Sequence, residues 1–512
     1  MELPILSVNQ LRIEVAGKTL VESISFDLYP GKCLAIVGES GSGKTLSCLT
    51  LLQLNPKSFN YSSGQIIDHR NHKQLSPTDT TLMTWRGKRV AMIFQEPMSA
   101  LNPSMRVGEQ VAEAIIFHLR KTKQEAHQDV IALFKEVRLP DPEVTFNKYP
   151  HQLSGGQRQR VMIAMALSCD PEILLADEPT TALDPSVQQT VLDLLRSIQL
   201  ERKMAMIFVS HDLKVVQSVA DDIIVMQKGV VMEQGQANVV INHPEHHYTQ
   251  ALLACKPEGK SRLYYLPTLD NLDNLDKIPD ASIGGVLLEV KNLTKRFGNF
   301  TAVDQASFII RKGETLGLVG ESGCGKSTLS RMIMGLLPIT LGSIEWKGQT
   351  WLSGQQKMKR SERRRVQMVF QDPFSSLNPK IKIGDQLMAP MEIHGIGKNH
   401  QERRAKALNW LMKVGMPEPE EALEKYPHAF SGGQRQRIVI ARALAAEPEL
   451  IICDESVAAL DVSVQAQVLN LLNELKHELG LTYLFISHDM HVVKYMCNRV
   501  MAMQKGSLTE GV

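Results

Sequence analysis

Two glycine-rich segments carry the residues best suited to bind phosphate. Residues 38–45, GESGSGKT, and residues 320–327, GESGCGKS, both fit the spacing G-x-x-x-x-G-K-[ST]. Each follows a short apolar run and precedes a helical pattern, so loop N–H groups and a helix start would converge on phosphate oxygens. The pattern predicts two ATP sites. Their members are Gly38, Glu39, Ser40, Gly41, Ser42, Gly43, Lys44, Thr45, Gly320, Glu321, Ser322, Gly323, Cys324, Gly325, Lys326 and Ser327.

The last two residues of each segment have distinct predicted roles. Lys44 and Lys326 are expected to reach the β- and γ-phosphates, and the hydroxyls of Thr45 and Ser327 to face Mg²⁺. Cys324 is expected to leave the second segment functional, because the main chain does the cradling of the phosphates.

Paired carboxylates follow two other apolar runs. EILLADE ends in Asp177 and Glu178, and ELIICDE ends in Asp454 and Glu455. A carboxylate at the end of a strand beside a phosphate loop can hold Mg²⁺, and the next one can polarise an attacking water. A solvated acidic turn that only closes a strand is the alternative for either pair, and the phosphate loop upstream favours the metal and catalytic interpretation.

A third motif, SGGQRQR, begins at Ser154 and again at Ser431. Adjacent glycines after a serine, at the start of a helix, form a terminus that favours anions. A Gly-Gly turn with a basic helix start is the alternative for a single copy. The residues predicted to face an anion here are Ser154, Gly155, Gly156, Gln157, Ser431, Gly432, Gly433 and Gln434. All of these motifs, and a Ser-His-Asp string, recur 276 to 282 residues further on, so the chain contains a duplicated domain.

The elements that position these residues follow from short apolar runs such as CLAIVG, EILLAD, TLGLVG and ELIICD. They alternate with helical patterns, which predicts buried strands in largely parallel α/β sheets. Longer helical stretches before each SGGQ predict an inserted helical subdomain. Residues 257–285 are rich in Asp, Asn, Pro and Gly and read as a linker. The predicted organisation is one domain over 1–256, the linker, and a second domain over 286–512.

Composition excludes several classes of function. The chain has 512 residues, 43% of them hydrophobic, and a formal net charge of +2, which gives no reason to expect a nucleic-acid partner. Its seven cysteines form no CxxC pair, so zinc and iron–sulfur sites are not expected. The N-terminal segment does not resemble a signal peptide, and no apolar run reaches about 18 residues. We expect a cytoplasmic protein that meets membranes through partners.

The order of a phosphate loop, SGGQ and an apolar run ending in Asp-Glu resembles the ABC ATPases. The resemblance implies two P-loop (RecA-like) nucleotide-binding domains that sandwich ATP head to tail, here as an intramolecular pseudo-dimer. It implies metal contacts through Gln95, Gln371, Asp177 and Asp454 with Thr45 and Ser327, and catalytic roles for Glu178, Glu455, His211 and His488. Phe297 matches the ring that stacks on adenine, whereas the equivalent residue of the first cassette is Val15.

The strings FQEPMSALNP and FQDPFSSLNP, and an extension around His246 to Thr249, resemble the ATPases of dipeptide, oligopeptide and nickel importers. That resemblance implies two transmembrane permease partners, an extracytoplasmic solute-binding protein, and a peripheral position on the cytoplasmic face of the inner membrane. Both composite ATP sites are expected to hydrolyse ATP. The second cassette is expected to lack the extension, because the sequence stops soon after KGSLTEG.

Two other classes of tandem ABC ATPase are alternatives. Those that act on ribosomes have a longer and strongly charged segment between the cassettes, whereas residues 257–285 are short and mixed in charge. DNA-repair ABC ATPases insert zinc-binding cysteines, which this sequence does not show. The transported substrate stays open among peptides, nickel chelates, opines and glutathione, because ATPase subunits do not contact the cargo.

Overall fold

The computed structural model describes residues 3–95, 100–180, 183, 185–269, 271–272, 276–279, 282–321, 323–354, 356, 358–458 and 460–511. It divides into two compact units, Met1–Leu253 and Ala254–Val512. Residues 257–285 therefore fall within the second unit, and Leu266 among them is fully buried in its core. Their role as a linker between two domains stays a prediction.

The first unit contains one ten-stranded sheet with the order β5-β4-β1-β2-β10-β9-β3-β8-β7-β6. Its strands are β1 (Leu6–Val15), β2 (Lys18–Leu28), β3 (Cys33–Gly38), β4 (Phe59–Asp68), β5 (Lys73–Leu75), β6 (Val90–Ile93), β7 (Ile173–Asp177), β8 (Ala205–Ser210), β9 (Asp222–Gln227) and β10 (Val230–Gln236). Its helices are α1 (Lys44–Leu51), α2 (Val107–Leu119), α3 (Lys123–Glu136), α4 (Pro142–Phe146), α5 (Gly155–Leu167), α6 (Pro185–Glu201), α7 (Leu213–Val219), α8 (Ala237–Asn242) and α9 (His247–Ala254), the last of which ends one residue into the second unit.

The second unit has a four-stranded sheet, β12-β11-β14-β15, and a six-stranded sheet, β16-β17-β18-β13-β19-β20. Its strands are β11 (Val286–Phe297), β12 (Phe300–Arg311), β13 (Thr315–Val319), β14 (Leu341–Trp346), β15 (Gln349–Ser353), β16 (Val366–Val369), β17 (Leu450–Asp454), β18 (Thr482–Ile486), β19 (Arg499–Gln504) and β20 (Ser507–Glu510). Its helices are α10 (Lys326–Ile333), α11 (Arg360–Arg363), α12 (Pro373–Ser376), α13 (Ile383–His394), α14 (His400–Lys413), α15 (Pro419–Glu424), α16 (Gly432–Leu444), α17 (Val462–Leu479) and α18 (Met490–Met496).

The predicted α/β class is confirmed. Strands β3, β6, β7 and β8, and their counterparts β13, β16, β17 and β18, pair in parallel. Nearly every residue in them is buried, as expected for strands covered on both faces. The sequence analysis did not anticipate the antiparallel strands β1, β2, β4 and β5, or their counterparts in the second unit. Their bulged registers interrupt the alternation that marks a regular strand.

The inserted helical subdomain is present in each unit. Helices α2 to α4 lie between β6 and the first SGGQ, and α13 to α15 lie between β16 and the second. Their apolar faces pack on each other and on the helix that follows SGGQ. Among the described residues, every helix is too short or too polar to cross a membrane.

Candidate nucleotide sites

The phosphate loop of the first unit closes around its own lysine. Strand β3 ends at Gly38 and helix α1 begins at Lys44. Lys44 Nζ donates hydrogen bonds to the carbonyl oxygens of Gly38, at 2.8 Å, and of Glu39, at 2.7 Å. The lysine is buried. A cation is thus held at the start of a helix, where loop N–H groups also favour negative charge.

The loop of the second unit has the same arrangement. Lys326 Nζ donates to the carbonyl oxygens of Gly320, at 2.7 Å, and of Glu321, at 2.8 Å. Cys324 is buried, with its Sγ 3.9 Å from Lys326 Nζ. Ser322, a predicted member of this loop, lies outside the described residues.

The first glycine of each loop is fixed by close packing against a neighbouring strand. Gly38 has a φ of 156°, and a Cβ added there would lie 2.1 Å from the carbonyl oxygen of Met226. Gly320 has a φ of 154°, and its Cβ would lie 2.3 Å from the carbonyl oxygen of Met503. Both contacts are with backbone, which cannot move aside. Glycine is therefore required for the loop to leave its strand here.

Four adjacent parallel strands bring the predicted residues to one edge of each sheet. In the first unit the order β3-β8-β7-β6 places the phosphate loop, His211, the Asp177–Glu178 pair and Gln95 after consecutive strands. The order β13-β18-β17-β16 does the same for His488, Asp454, Glu455 and Gln371. Carboxyl ends of parallel strands meet at one edge, which is where α/β sheets bind ligands.

The first carboxylate of the first pair faces the phosphate loop. Asp177 Oδ1 accepts a hydrogen bond from Thr45 Oγ1 at 3.0 Å. The carboxyl is buried, and this burial, with Glu178 beside it, raises the pKa of Asp177 to about 6 despite the hydrogen bond from Thr45 and the charge of Lys44. A buried carboxylate and a hydroxyl within hydrogen-bond reach form an oxygen-only donor set that fits Mg²⁺.

The second unit repeats this pair. Asp454 is buried and also accepts a hydrogen bond from the Ser327 side chain. Burial and the adjacent Glu455 raise the pKa of the Asp454 carboxyl. The same oxygen-only donor set is therefore available in both units, and it fits the same hard cation.

Glu178 is held in an uncommon backbone conformation. Its φ is 45°, and its N–H donates to the carbonyl oxygen of Val209 at 3.0 Å. Its side-chain Oε2 accepts from Gln95 Nε2 at 2.9 Å and lies 3.3 Å from His211 Nδ1. A left-handed non-glycine residue costs of order 1–3 kcal/mol and persists where its surroundings fix it, often at functional sites.

Glu455 has the same conformation and the same two neighbours. Its φ is 49°, its Oε2 accepts from Gln371 Nε2 at 2.7 Å, and its Oε1 lies 3.7 Å from His488 Nδ1. The hydrogen bond and the charge of His488 lower the pKa of the Glu455 carboxyl, although its burial opposes them. Both units thus hold a glutamate between a glutamine amide and a histidine, so the sequence pattern is matched by a repeated geometry.

The SGGQ motifs cap the helices that follow them. Ser154 Oγ accepts from the N–H of Gln157 at 3.3 Å, and the Gln157 side chain accepts from the Ser154 N–H at 3.1 Å. Ser431 and Gln434 make the same reciprocal pair, at 3.3 and 3.0 Å. This capping box satisfies two N–H groups at the helix start.

The two glycines of each SGGQ differ in what surrounds them. A Cβ on Gly156 would lie 2.6 Å from Val187 Cγ1, whereas one on Gly155 would come no closer than 3.7 Å to Leu183. In the second unit the corresponding Cβ on Gly433 would lie 2.4 Å from Val464 Cγ1, and Gly432 is open. The second glycine is thus needed for packing, and the first leaves an open surface at the helix start.

The predicted adenine contact is an exposed aromatic side chain. Phe297 ends strand β11 with 49% of its surface exposed, and Lys295 Nζ lies 5.0 Å from its ring centroid. Its ring is available for stacking. In the first unit the equivalent residue is Val15, which ends strand β1 and pairs with Lys18 and Phe59. It has no aromatic ring that could stack on adenine.

Sequence reasoning missed one residue that touches a phosphate loop. Tyr248, on helix α9, is buried, and its hydroxyl oxygen accepts a hydrogen bond from the backbone N–H of Glu39 at 3.4 Å. The tyrosine belongs to the extension identified by resemblance. Its 209-residue separation from Glu39 left no local signal for the contact.

Comparison with known proteins agrees with these observations. A family model described as ABC transporter matches residues 21–181 and 303–458. The chain is 43% identical to the glutathione import ATP-binding protein GsiA of Salmonella choleraesuis, over 99% of this chain and 86% of that protein. It is 42% identical to GsiA of Escherichia coli K12, over 96% and 82%. A solved structure of cbiO1 from Clostridium perfringens, part of the ABC transporter complex cbiONQ, is 27% identical over 44% of this chain and 87% of that one, with a TM-score of 0.40.

Proposed function

Because this chain belongs to the ABC transporter family, as the ATP-hydrolysing subunit of an importer, we propose that its two cassettes form two active composite ATP sites that power the uptake of a small peptide such as glutathione. The observation that carries the proposal is the repeated geometry. Each unit holds a lysine in its phosphate loop and a glutamate between a glutamine amide and a histidine.

Each composite site combines one unit's phosphate loop with the other unit's SGGQ. The first site consists of Lys44, Gln95, Asp177, Glu178 and His211 with Ser431 to Gln434. The second consists of Lys326, Gln371, Asp454, Glu455 and His488 with Ser154 to Gln157. Both capped helix starts present N–H groups and an open first glycine, which suits the terminal phosphate of ATP.

Within a site the side chains divide the work. The lysine neutralises charge on the β- and γ-phosphates, and the glutamate orients and deprotonates the attacking water. The glutamine and histidine keep that glutamate in place through contacts with its carboxylate, at one oxygen of Glu178 and at both oxygens of Glu455. Thr45 with Asp177, and Ser327 with Asp454, would hold Mg²⁺, which supplies charge stabilisation at the phosphates. Gln95 and Gln371 are proposed as further metal contacts.

The proposed cargo follows from the names of the relatives. The similar GsiA proteins are glutathione import ATP-binding proteins. The proposal assigns this chain a substrate of the same class, a short and modified peptide. Uptake of labelled glutathione by cells with and without the chain, in competition with dipeptides, tripeptides, nickel and opines, tests this assignment.

The proposed partners are two transmembrane permease subunits, and a solute-binding protein outside the membrane would deliver the cargo. The chain would then sit at the cytoplasmic face of the inner membrane as a peripheral subunit. Co-purification with membranes that contain the permeases is expected. Sedimentation with ribosomes instead would overturn the importer assignment in favour of the ribosomal alternative.

Single substitutions test whether both sites hydrolyse ATP. Glu178→Gln and Glu455→Gln each keep the size of the side chain and remove its ability to take a proton. Each is expected to lower the ATPase rate at least about twofold, and the double variant about 10²–10⁴-fold, the range for loss of a general base. Glu201→Gln, at the exposed end of helix α6, is the matched control. Full activity in either single variant contradicts two active sites.

A further inference from the structure

A small polar cavity lies in the second unit, beside residues of the segment predicted as a linker. Its volume is about 70 Å³, and it is lined by Arg262 from that segment and by Asn473, Lys476, His477, Tyr495 and Asn498. A cavity needs about 10–15 Å³ for each water-sized group, so this one has room for about five. That is the size of a tetrahedral oxyanion.

Lys476, which lines this cavity, is hydrogen-bonded to neutral oxygens. Lys476 Nζ donates to Thr315 Oγ1 at 2.8 Å and to Asn498 Oδ1 at 3.1 Å. Burial lowers the pKa of Lys476 to about 8. The positive charge of Arg262 adds to this effect, and interactions with Cys497 and Glu314 oppose it. A partly buried charge is expected to have a counter-charge, but both hydrogen-bond acceptors of Lys476 are neutral and no carboxylate among the described residues forms an ion pair with it.

Glu314, the carboxylate whose charge acts on Lys476, is already engaged. Glu314 is buried and lies 3.1 Å from Arg499 Nε, and it also accepts from the backbone N–H of Arg311 at 2.8 Å. In addition, Asn473 Nδ2 is buried at the cavity and finds no acceptor in hydrogen-bond geometry among the described residues. Among the residues that the structure describes, the cavity therefore combines two basic side chains, Arg262 and Lys476, with an amide donor whose contact with Tyr495 falls short of hydrogen-bond geometry.

The first unit shows what balances the charge at the equivalent place. Asn498 corresponds to Asp221, because the N–H of Thr315 donates to Asn498 Oδ1 at 2.9 Å just as the N–H of Cys33 donates to Asp221 Oδ2 at 2.8 Å. Asp221 pairs with Arg196 at 3.2 Å. The first unit thus neutralises its own cation, and the second has an amide where that carboxylate would be.

In the same comparison, Lys476 corresponds to Gln199 and Asn473 corresponds to Arg196, each 277 residues earlier in the chain. Gln199 is buried and bonded to the backbone of Met204 and to Arg196. At these three positions the second unit therefore keeps one cation but has an amide in place of the carboxylate, while Glu314 and Arg499 stand where the first unit has Lys32 and Asp222.

We propose that this cavity binds a small tetrahedral oxyanion, such as inorganic phosphate or sulfate, between Arg262, Lys476 and Asn473. The anion supplies the missing counter-charge and accepts from the Asn473 amide. It also joins residue 262 to helix α17, so it fastens this segment to the second unit. The cavity shares no lining residue with either phosphate loop, and the proposal does not depend on which substrate is transported.

Calorimetric titration of the full chain with sodium phosphate tests the proposal. Both phosphate loops are first saturated with a non-hydrolysable ATP analogue and Mg²⁺, and sodium chloride at matched ionic strength is the control. One phosphate per chain is expected to bind. The proposal is overturned if phosphate gives no more heat than chloride.

Two substitutions taken from the first unit make the test specific. Lys476→Gln removes the cation, and Asn498→Asp keeps the cation but restores the internal carboxylate. Each is expected to weaken phosphate binding at least about tenfold, the value of one lost charge-assisted hydrogen bond. Unchanged binding in both overturns the proposal. Asn498→Asp is nearly isosteric, and the thermal unfolding of both variants confirms that they fold.

Hydrogen exchange gives a second readout that ATP hydrolysis cannot affect. The N–H of Leu266 donates to Asn470 Oδ1 at 2.9 Å, close to Arg262 in the chain. Phosphate is expected to slow exchange over residues 261–266 in the unmodified chain and to leave it unchanged in Asn498→Asp. Equal slowing in both chains contradicts an anion held at this cavity.

Discussion

The hydroxyl of Tyr248 accepts a hydrogen bond from the backbone N–H of Glu39 at 3.4 Å, so the extension that follows the first cassette touches its phosphate loop. The tyrosine is buried and lies in the same unit as the loop. The contact fixes the backbone one residue after Gly38. The extension is therefore in a position to influence how firmly the first loop is held.

We predict that Tyr248→Phe weakens ATP binding at the first cassette. Loss of one neutral hydrogen bond is worth about 0.5–1.5 kcal/mol, so the dissociation constant is expected to rise about 2- to 12-fold. Fluorescent ATP-analogue titration of a Lys326→Ala background, in which the second loop is disabled, measures the first site alone. Phe297→Ala in the same background is the control, and an unchanged affinity in Tyr248→Phe contradicts a role for the contact.

The two glycines of the first SGGQ are predicted to fail in different ways. Gly156→Ala brings a Cβ within 2.6 Å of Val187, a stiff β-branched side chain, and is expected to destabilise the first unit by about 1–3 kcal/mol. Gly155→Ala has open space and is expected to raise helix stability by up to about 1 kcal/mol while lowering ATPase activity. Its methyl group would stand at the helix start where the proposed phosphate contacts lie.

Chemical denaturation and ATPase assays of both variants separate these effects. Val187→Ala combined with Gly156→Ala is expected to recover part of the lost stability, because it removes the atom that the new Cβ meets. If Gly155→Ala lost stability as Gly156→Ala does, the difference in packing would not explain the two positions.

The parts of this molecule that could be predicted from the sequence are those formed by short, contiguous sequence motifs. A phosphate loop, a capped SGGQ and a carboxylate pair each place their chemistry within about eight residues, so spacing alone identifies Lys44 or Glu178. Parallel pairing, though not the order of the strands, then follows from alternating strands and helices, because parallel strands need crossover connections that are usually helical.

Contacts between distant parts of the chain could not be predicted in this way. Tyr248 and Glu39 are 209 residues apart, and Leu266 and Asn470 are 204 apart. The composition of the segment around Leu266 predicts a linker. In the structure, however, the Asn470 side chain accepts a hydrogen bond from the N–H of Leu266 and donates one to the carbonyl oxygen of Leu266, at 2.8 Å. A single buried apolar residue gives no periodic signal.

The buried pair of Asp68 and Arg89 is predicted to stabilise the first unit in a pH-dependent way. Burial alone would raise the pKa of Asp68, but hydrogen bonds from Arg89 and Asn71 outweigh it and lower the pKa to about 2. The folded-state pKa is below the ordinary value of 3.8. The stabilisation is therefore fully present above about pH 4 and is lost as the pH falls through 2.

Asp68→Asn tests this pair. The substitution removes one of two carboxylate partners of Arg89, whose Nε also lies 3.1 Å from Glu172 Oε2, and is expected to destabilise the first unit by about 1.5–3 kcal/mol at pH 7, the value of a hydrogen bond to a charged group. The difference from the unmodified chain should shrink between pH 4 and pH 2. Hydrogen exchange of peptides from strand β4 reports the stability of the first unit. Peptides from strand β14 of the second unit are the internal control, because Trp346 occupies there the position that Asp68 has in β4. A pH-independent difference contradicts the predicted sign.

The cysteine of the second phosphate loop is predicted to be replaceable by serine. Cys324 corresponds to Ser42 of the first loop. A Cβ added to Gly320 would lie 2.8 Å from Cys324 Sγ, and one added to Gly38 would lie 2.8 Å from Ser42 Oγ. The loop geometry around the lysine is the same in both units. Cys324→Ser is therefore expected to keep the ATPase rate within about twofold, because backbone N–H groups hold the phosphates. Cys324→Trp places a large side chain at this buried position and is expected to abolish activity at the second site. Its loss of activity would show that the assay detects damage to this loop, so that full activity of Cys324→Ser can be attributed to tolerance of serine.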